Sequence, residues 1–540
     1  MAGSAKDSKI MEQKDTISQL NTVINSQNEL IASLQNTVDE CNATIAGLRE
    51  QVEYLTKKLF GTSSEKSKNM EGQLSLFNEA EVEAGASDGM AEPETVIVKE
   101  HTRQAKRTSD EIFKGVPSRD EVIPLCEEQK HCADCGAEME VIGKEFVRRE
   151  FRFIPAKGEV VNIYRETAKC PKCSTASAMA RNIQFVKAHV PEALIPHSYA
   201  SASAVAWVMY QKYANSMPLY RQEQDFQQMG VILSRATLAN WIIYCAGNYF
   251  SLLYDYFHRE LLKRQFLMAD ETRVQVLKEP GRSAETDSYM WLFCTGEDGL
   301  PPIILYKYTE TRAKFNAEEF LKGLKGYLET DGYQGYNNLP DIKRCCCFAH
   351  LRRYFVEAVP KGKELDYSNP AAQAVQYCNK LFEYERISRE KGHSFEERKE
   401  YRLQKEKPVL DAFWTWLAQQ KPKKGTRFEK AVNYAQNHKE LSMTYLEDGR
   451  CSLSNNLSEN AIRPFTVGRK NWLFCDTPKG AEASAIVYTM VEMAKAHNLN
   501  VYKYMNYLLE RLPDTKMTDA ALGKLAPWDE NVIANCSGAM

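Results

Sequence analysis

Phe266-Leu-Met-Ala-Asp270 is an apolar run that ends in a carboxylate, and Gly326-Tyr-Leu-Glu-Thr-Asp331 is a second short run that ends the same way. Short apolar runs bounded by polar or Gly residues read as buried strands. Ser288 to Thr295, with Trp291, Leu292 and Phe293, and Pro302 to Tyr308, with Ile303, Ile304 and Leu305, read as two strands between them. Phe315 to Leu324 reads as a helix, and Arg344 to Phe348 as a fifth strand. Three strands, a helix, a strand and another strand is an order in which the first and fourth strands lie side by side. Asp270 and Asp331 are then expected to project from neighbouring strand ends.

Downstream, Leu351 to about Gly449 is helical and polar in pattern, with Trp414 and Trp416 as anchors and Lys421, Lys423 and Lys424 in a basic cluster. Such a stretch is too long for a loop and reads as an inserted helical region. It is followed by Ser454-Asn-Asn-Leu-Ser-Glu-Asn-Ala-Ile-Arg463. Ser454 or Asn455 can cap a helix there, which puts Asn456, Glu459 and Arg463 on one face. The fold class expected is an α/β ribonuclease-H-like catalytic core with a helical insertion, preceded by a coiled coil and a zinc ribbon. The core's first part is 266–350, the insertion 351–452 and the second part 453–500. Pro513, Pro527 and the last residues read as a loosely ordered C-terminal tail, 501–540.

The N-terminal region is organised differently. Ile10, Ile17, Ile24, Ile31, Val38, Ile45, Val52 and Leu59 recur every seven residues, and Leu20, Gln27, Leu34, Cys41, Leu48 and Leu55 follow at the d positions, with Gln27 the one clearly polar member. A sustained a/d seam with Ile or Val at a and Leu at d predicts a parallel coiled coil over 10–60, hence a homodimer or higher oligomer. Residues 61–120 form a linker, acidic and then basic. Cys132-Ala-Asp-Cys135 and Cys170-Pro-Lys-Cys173 are two C-x2-C knuckles. They offer four thiolates in the tetrahedron that one structural Zn2+ prefers. The alternating stretches Phe146 to Ile154 and Glu159 to Arg165 read as the hairpin of a zinc-ribbon domain, 121–187. Residues 188–265 read as a helical, DNA-binding or purely structural subdomain, with Ser234 as an N-cap after Gly230.

Composition narrows the class. Lys and Arg total 70 against 72 Asp and Glu, a net charge of −2, so any DNA contact comes from local patches. Hydrophobic residues make up 43%, which excludes a mainly disordered chain. No apolar run reaches the roughly 18–20 residues of a membrane span. Fifteen cysteines, three of them consecutive at Cys345, Cys346 and Cys347, suit a reducing compartment. A cytoplasmic protein is expected, nucleoid-associated when on DNA.

Three carboxylates set on two strands and a helix suit hard divalent cations, which take oxygen ligands. At these residues the chain resembles the transposases of the bacterial insertion sequence 66 family. Ala269-Asp-Glu-Thr-Arg-Val-Gln-Val-Leu277, Thr330-Asp-Gly-Tyr-Gln-Gly-Tyr-Asn337 and Asn455-Asn-Leu-Ser-Glu459, with Gly468-Arg-Lys-Asn-Trp-Leu-Phe474, are similar to its three catalytic blocks. Cys347-Phe-Ala-His-Leu-Arg-Arg353 is similar to the segment that opens its insertion, and Leu59-Phe-Gly-Thr-Ser-Ser-Glu-Lys66 and Pro218-Leu-Tyr-Arg-Gln-Glu-Gln224 to upstream landmarks. Arg273, in place of a proline, and Leu457-Ser458 depart from the family pattern.

The resemblance implies a DDE recombinase with Asp270, Asp331 and Glu459 as catalytic triad. Two Mg2+ or Mn2+ ions would be held by those three residues. Double-stranded DNA, as transposon ends and target, is the implied partner, with small companion proteins of the same element as possible others. Arg463 and Lys470 are candidate phosphate clamps, and Arg469, Arg352 and Arg353 further DNA-contact candidates. His350 is read as structural. The competing reading is a non-catalytic, dimeric, zinc-containing DNA-binding regulator derived from a transposase.

Overall fold

The computed structural model describes residues 158–169, 185–188, 191–360, 368–514 and 518–538, plus Asn25, Gln27, Asn28, Ile31 and Gln35. Those five positions are helical and exposed. The rest of the heptad segment, the linker and all four knuckle cysteines lie outside the described residues. Next to the knuckles, β1 (Thr167–Lys169) pairs antiparallel with β2 (Phe185–Lys187). Glu159 to Arg165, expected as a strand, has no regular structure, and Val160, Val161, Ile163 and Tyr164 are exposed. Alternation alone did not make a strand there, because no described segment pairs with it.

Two compact units divide the chain, one of them including 348–440 and the other 90–347 with 441–540. In the second, α1 (Ala202–Tyr213), α2 (Leu219–Gln228), α3 (Arg235–Cys245) and α4 (Ser251–Leu261) precede the sheet. Ser234 caps α3 as expected, its Oγ accepting from the Thr237 N–H at 3.1 Å.

The sheet contains β3 (Phe266–Val276), β4 (Asp287–Thr295), β5 (Ile304–Thr309), β6 (Gly326–Thr330) and β7 (Ile342–Cys346), with α5 (Lys314–Phe320) between β5 and β6. Their order is β5-β4-β3-β6-β7. The first three strands run antiparallel, while β3, β6 and β7 are mutually parallel. The first and fourth strands of the sheet are thus neighbours, as the sequence predicts.

One expectation needs correcting. β3 does not end at Asp270 but continues six residues to Val276, because Glu271 to Gln275 keep pairing with β4 out to Gln275↔Asp287. Thr272, Val274 and Val276 carry the alternation through a stretch that looked like a strand end.

The other unit holds the helical insertion: α6 (Phe348–Ala358), α7 (Pro370–Glu390), α8 (Phe395–Tyr401), α9 (Lys407–Ala418) and α10 (Arg427–Asn437). Phe355, Leu381, Phe413, Trp414 and Leu417 are buried, and a buried Arg402–Glu385 ion pair at 2.5 Å joins α7 to the turn before α9. Trp416 is only partly buried and donates to Gln373 Oε1 at 3.0 Å.

After α11 (Lys439–Met443) the chain forms α12 (Asn456–Trp472), β8 (Phe474–Cys475) and α13 (Pro478–Ala496). β8 pairs parallel with the far end of β3. Buried residues surround α13 almost completely, so it is a core helix, capped by Thr477. It covers the edge of the sheet at β5. The Tyr306 N–H donates to Thr489 Oγ1 at 3.0 Å and the Ile304 N–H to Met493 Sδ at 3.2 Å.

The C-terminus is not a loose tail. α14 (Val501–Arg511), α15 (Asp519–Gly523) and α16 (Glu530–Cys536) bury Tyr504, Met505, Leu508, Val532 and Cys536, and α14 packs on α1. Pro513 and Pro527 punctuate helices here rather than marking disorder.

β6 enters the sheet through Gly326, at φ 151°, where an added Cβ would lie 2.1 Å from the Gln265 carbonyl oxygen. Gly326→Ala should destabilise the protein by about 3 kcal/mol through that clash and the backbone strain. Urea unfolding measures it, and a parental midpoint would contradict so close an approach.

Candidate functional site

The β3–β6 register pairs Phe266 with Tyr327, Leu267 with Leu328 and Met268 with Glu329. Carried two residues further, the same offset sets Asp270 beside Asp331. On this side β3 is paired with β6 up to Met268 and with β8 from Gln275. Asp270 therefore sits at the gap between two strand partners, where the chain of β6 peels away. Successive side chains alternate faces, so Asp270 and Thr272 share one face and Glu271 points to the other.

Helix α12 lies across β3 and β4. Glu459 is in its first turn and 8% exposed. Asn455 occupies the N-cap, but its side chain makes no capping bond. The turn is held by Ser458 Oγ donating to the Asn455 carbonyl at 2.9 Å and by the Asn455 N–H donating to Cys347 Sγ at 3.4 Å. Burial pushes the Asp270 carboxyl well above the usual carboxylate range, and the charges of Glu271, Glu459 and Asp331 push it further. Those three carboxylates thus lie within electrostatic reach of Asp270, whose Oδ1 accepts from the Glu271 N–H at 2.8 Å. A buried group of like charges keeps its ionised form only if cations join it, which suits a divalent metal.

Around Asp331 the structure adds residues that the sequence reading did not single out. Arg344 on β7 is buried, and its Nε donates to Thr330 Oγ1 at 2.8 Å. Its two terminal nitrogens donate to the Asp331 carbonyl and to Asn337 Oδ1. On the opposite side, Arg312 Nε donates to Glu271 Oε1 at 2.7 Å, and the guanidinium lies 3.5 Å from the centre of the Tyr333 ring. The Tyr333 N–H donates to Asp331 Oδ1 at 2.9 Å. Tyr336 Oη donates to Glu271 Oε2. Burial pushes the Glu271 carboxyl up, against the Tyr336 hydrogen bond and the Arg312 charge, which favour ionisation. Two arginines thus grip the loop that carries Asp331. Glu271 acts as an anchor for that grip, on the face away from Asp270.

The candidate DNA contacts are dispersed. Arg463 is half-buried one turn beyond Glu459, and Lys470 is exposed near the end of α12. Arg469 donates to Thr272 Oγ1 at 3.2 Å, and burial lowers its pKa. Arg352 is buried and its Nε donates to Asn379 Oδ1 at 2.7 Å, so it serves the packing of the insertion rather than offering an open cation. Arg353 is half-buried on the same helix, α6, which also carries His350.

A buried mixed sheet with converging carboxylates, followed by a helix that brings a third, is the frame in which the comparisons with known proteins fall. The family profile described as "Transposase IS66 family" matches residues 197–483, and "IS66 C-terminal element" matches 489–528. The "zinc-finger binding domain of transposase IS66" matches 129–174, spanning Cys132, Cys135, Cys170 and Cys173. A leucine-zipper profile, "Transposase C of IS166 homeodomain", matches 47–112. All four describe transposases. The chain belongs to the IS66 transposase family. It is also similar to two uncharacterized proteins of Sinorhizobium fredii. It is 26% identical to y4hP over 507 residues, covering 89% of this chain and 88% of that one. It is 26% identical to y4jD over 497 residues, covering 89% and 93%. Among the described residues, no helix is long and apolar enough to cross a membrane.

Replacing Arg344 by Met strips donors from Thr330, Asp331 and Asn337 together. A loss on the order of 3 kcal/mol is expected, since acceptors are left buried without them. Arg344→Lys should recover little of it, lacking the planar fork. Paired denaturation curves for the two variants check this, and full recovery by lysine would reduce the role of Arg344 to charge alone.

Proposed function

We propose that the protein is a DDE transposase that cleaves DNA at the ends of its element and joins the freed ends to target DNA. The observation that carries this reading is Asp270, half-buried and within electrostatic reach of Asp331 and Glu459. The sheet order, with its first and fourth strands adjacent and a helical region before the third carboxylate, supports a ribonuclease-H-like core.

In this reading Asp270, Asp331 and Glu459 hold two divalent cations. When bound, the ions supply Lewis acidity and neutralise charge at the reacting phosphate. The protein's own residues do the rest. Asp270 and Asp331 stand on adjacent strands and fix the spacing of the carboxylate donors. Glu459 closes the set from α12. Water attacks the phosphodiester, the bond to the 3′ oxygen breaks, and a free 3′-hydroxyl remains at the element's end. That hydroxyl then attacks a target phosphodiester in line, the target's own bond from phosphorus to the 3′ oxygen breaks, and a target 3′-hydroxyl is released with the proton that the attacking hydroxyl gives up. Arg463 and Lys470, on the same helix as Glu459, are placed to steady the phosphates. Zinc held by Cys132, Cys135, Cys170 and Cys173 would stabilise the N-terminal DNA-binding part, and the heptad coil would join two copies.

Asp270→Asn, Asp331→Asn and Glu459→Gln should each abolish Mg2+-dependent cleavage of labelled end DNA, because carboxylates that share metal ions act as a unit. Binding in a gel shift should survive, since Lys and Arg contacts to phosphates carry most of the affinity. A variant that cuts at the parental rate would remove its residue from the triad. A parent that binds the ends but never cuts would favour a regulator.

The zinc assignment has its own test. Freshly purified protein should contain one zinc per chain, and Cys170→Ser should lose it while urea unfolding of the sheet domain stays parental. Metal analysis that finds no zinc in the parent rejects the assignment.

A further inference from the structure

Leu473 is unfavourable twice over. It ends α12 at φ 63° and ψ −53°, a γ-turn-like backbone that an L-residue rarely adopts and that glycine would occupy at less cost. The conformation is fixed by its N–H, which donates to the Arg469 carbonyl at 2.7 Å, and by β8, which begins at the next residue. Its side chain gains nothing in return from the fold, because Leu473 is 63% exposed. Phe474 beside it is 43% exposed, and Val467 on the preceding turns 48%. A strained backbone that thrusts a leucine into water is offset only when that side chain is buried against something else.

The surroundings select the partner. Lys470 and Lys479 are exposed on either side, in the last turn of α12 and the first turn of α13. Two nearby carboxylates are ion-paired, Asp476 with Lys278 at 2.8 Å and Asp287 with Arg273 at 3.0 Å. An apolar tip flanked by lysines, with its acids paired, suits a polyanion with stackable bases. The position is also set by the sheet. Phe474 pairs with Gln275, so Leu473 falls opposite Val274, four residues along β3 from Asp270. At about 3.3 Å per residue that is roughly 13 Å from the carboxylate. Roughly four base pairs of duplex cover the same length.

We propose that Leu473, backed by Phe474, is a wedge that enters the DNA about four base pairs from the scissile phosphate, unstacking a base step and bending the end into the site. Apolar wedges of this kind exchange lost stacking for a bent duplex that contacts more protein. The inference rests on the end-binding reading above.

The full-length protein tests it, without divalent metal so that no cleavage intervenes. End duplexes carry 2-aminopurine at each of the first eight positions in turn. The parent should brighten the probe several-fold at one or two adjacent positions. At protein concentrations that fully shift the duplex, Leu473→Gly should lose most of that brightening, whereas Leu473→Phe should keep it. The melting temperature of Leu473→Gly should equal or exceed the parent's, since glycine relieves the backbone. A fall of several degrees would mean that the leucine serves the fold, and would overturn the proposal. So would unchanged brightening in the glycine variant, or no brightening in a parent that shifts the DNA. A parent that fails to shift end DNA at all would overturn the end-binding reading and the wedge with it.

Discussion

The parallel pairing of β3 with β6 is the constraint on which the rest of the site depends. It sets two half-buried aspartates side by side, and like charges so close repel. The chain tolerates this because the neighbouring elements hold the backbone, while the two carboxylates accept from the backbone N–H groups of Glu271 and Tyr333. Arg344 binds the Asp331 carbonyl, and Arg312 grips Tyr333, whose N–H reaches the Asp331 side chain. Neither arginine is itself a member of the proposed triad. The donors are thus fixed in place while their charge remains available to a cation. Glu271 shows the contrast: one residue along the strand and on the other face, its carboxylate is taken by Arg312 and Tyr336.

The same sheet must end somewhere, and each margin is closed locally. At β5, outward N–H groups are taken up by Thr489 and Met493 of α13. At β7, Lys343 bonds Glu447, which also receives Tyr327 Oη at 3.2 Å. An unpaired strand edge invites pairing with another chain, and at β5 these contacts remove the invitation. The leucine-zipper profile matched at 47–112 points to self-association elsewhere in the chain.

Much of the core was legible in the sequence because its signals are local. Apolar runs at 266–270, 288–295 and 326–331 gave the strands and their order, and Ser234 gave a cap that the structure keeps. The extension of β3 was missed because Glu271, Thr272 and Arg273 are polar, and only their pairing with β4 reveals them as strand. The helices after residue 500 were missed because Pro513 and Pro527 resemble breakers when the burial of Tyr504 and Val532 cannot be seen. Tyr333 and Tyr336 lay in a quoted motif, yet their roles depend on Arg312 and Arg344, which carry no local signature. Such partnerships across strands are a property of register, not of composition. Arg352 shows the opposite limit: a basic residue in a basic-looking motif that the fold buries.

The bond between the Asn455 N–H and Cys347 Sγ closes a neck. The chain leaves the sheet domain just after Cys347 and re-enters it at Leu441, from where Glu447 reaches Lys343 and Asn455 reaches Cys347. What lies between is, for the sheet, a loop whose two ends are already joined. Loop-closure entropy grows only logarithmically, so doubling such a segment would cost the core about 0.6 kcal/mol. Its length is therefore nearly free to drift over evolutionary time, and helices can be gained or lost there while the geometry of Glu459 against Asp270 stays as it is.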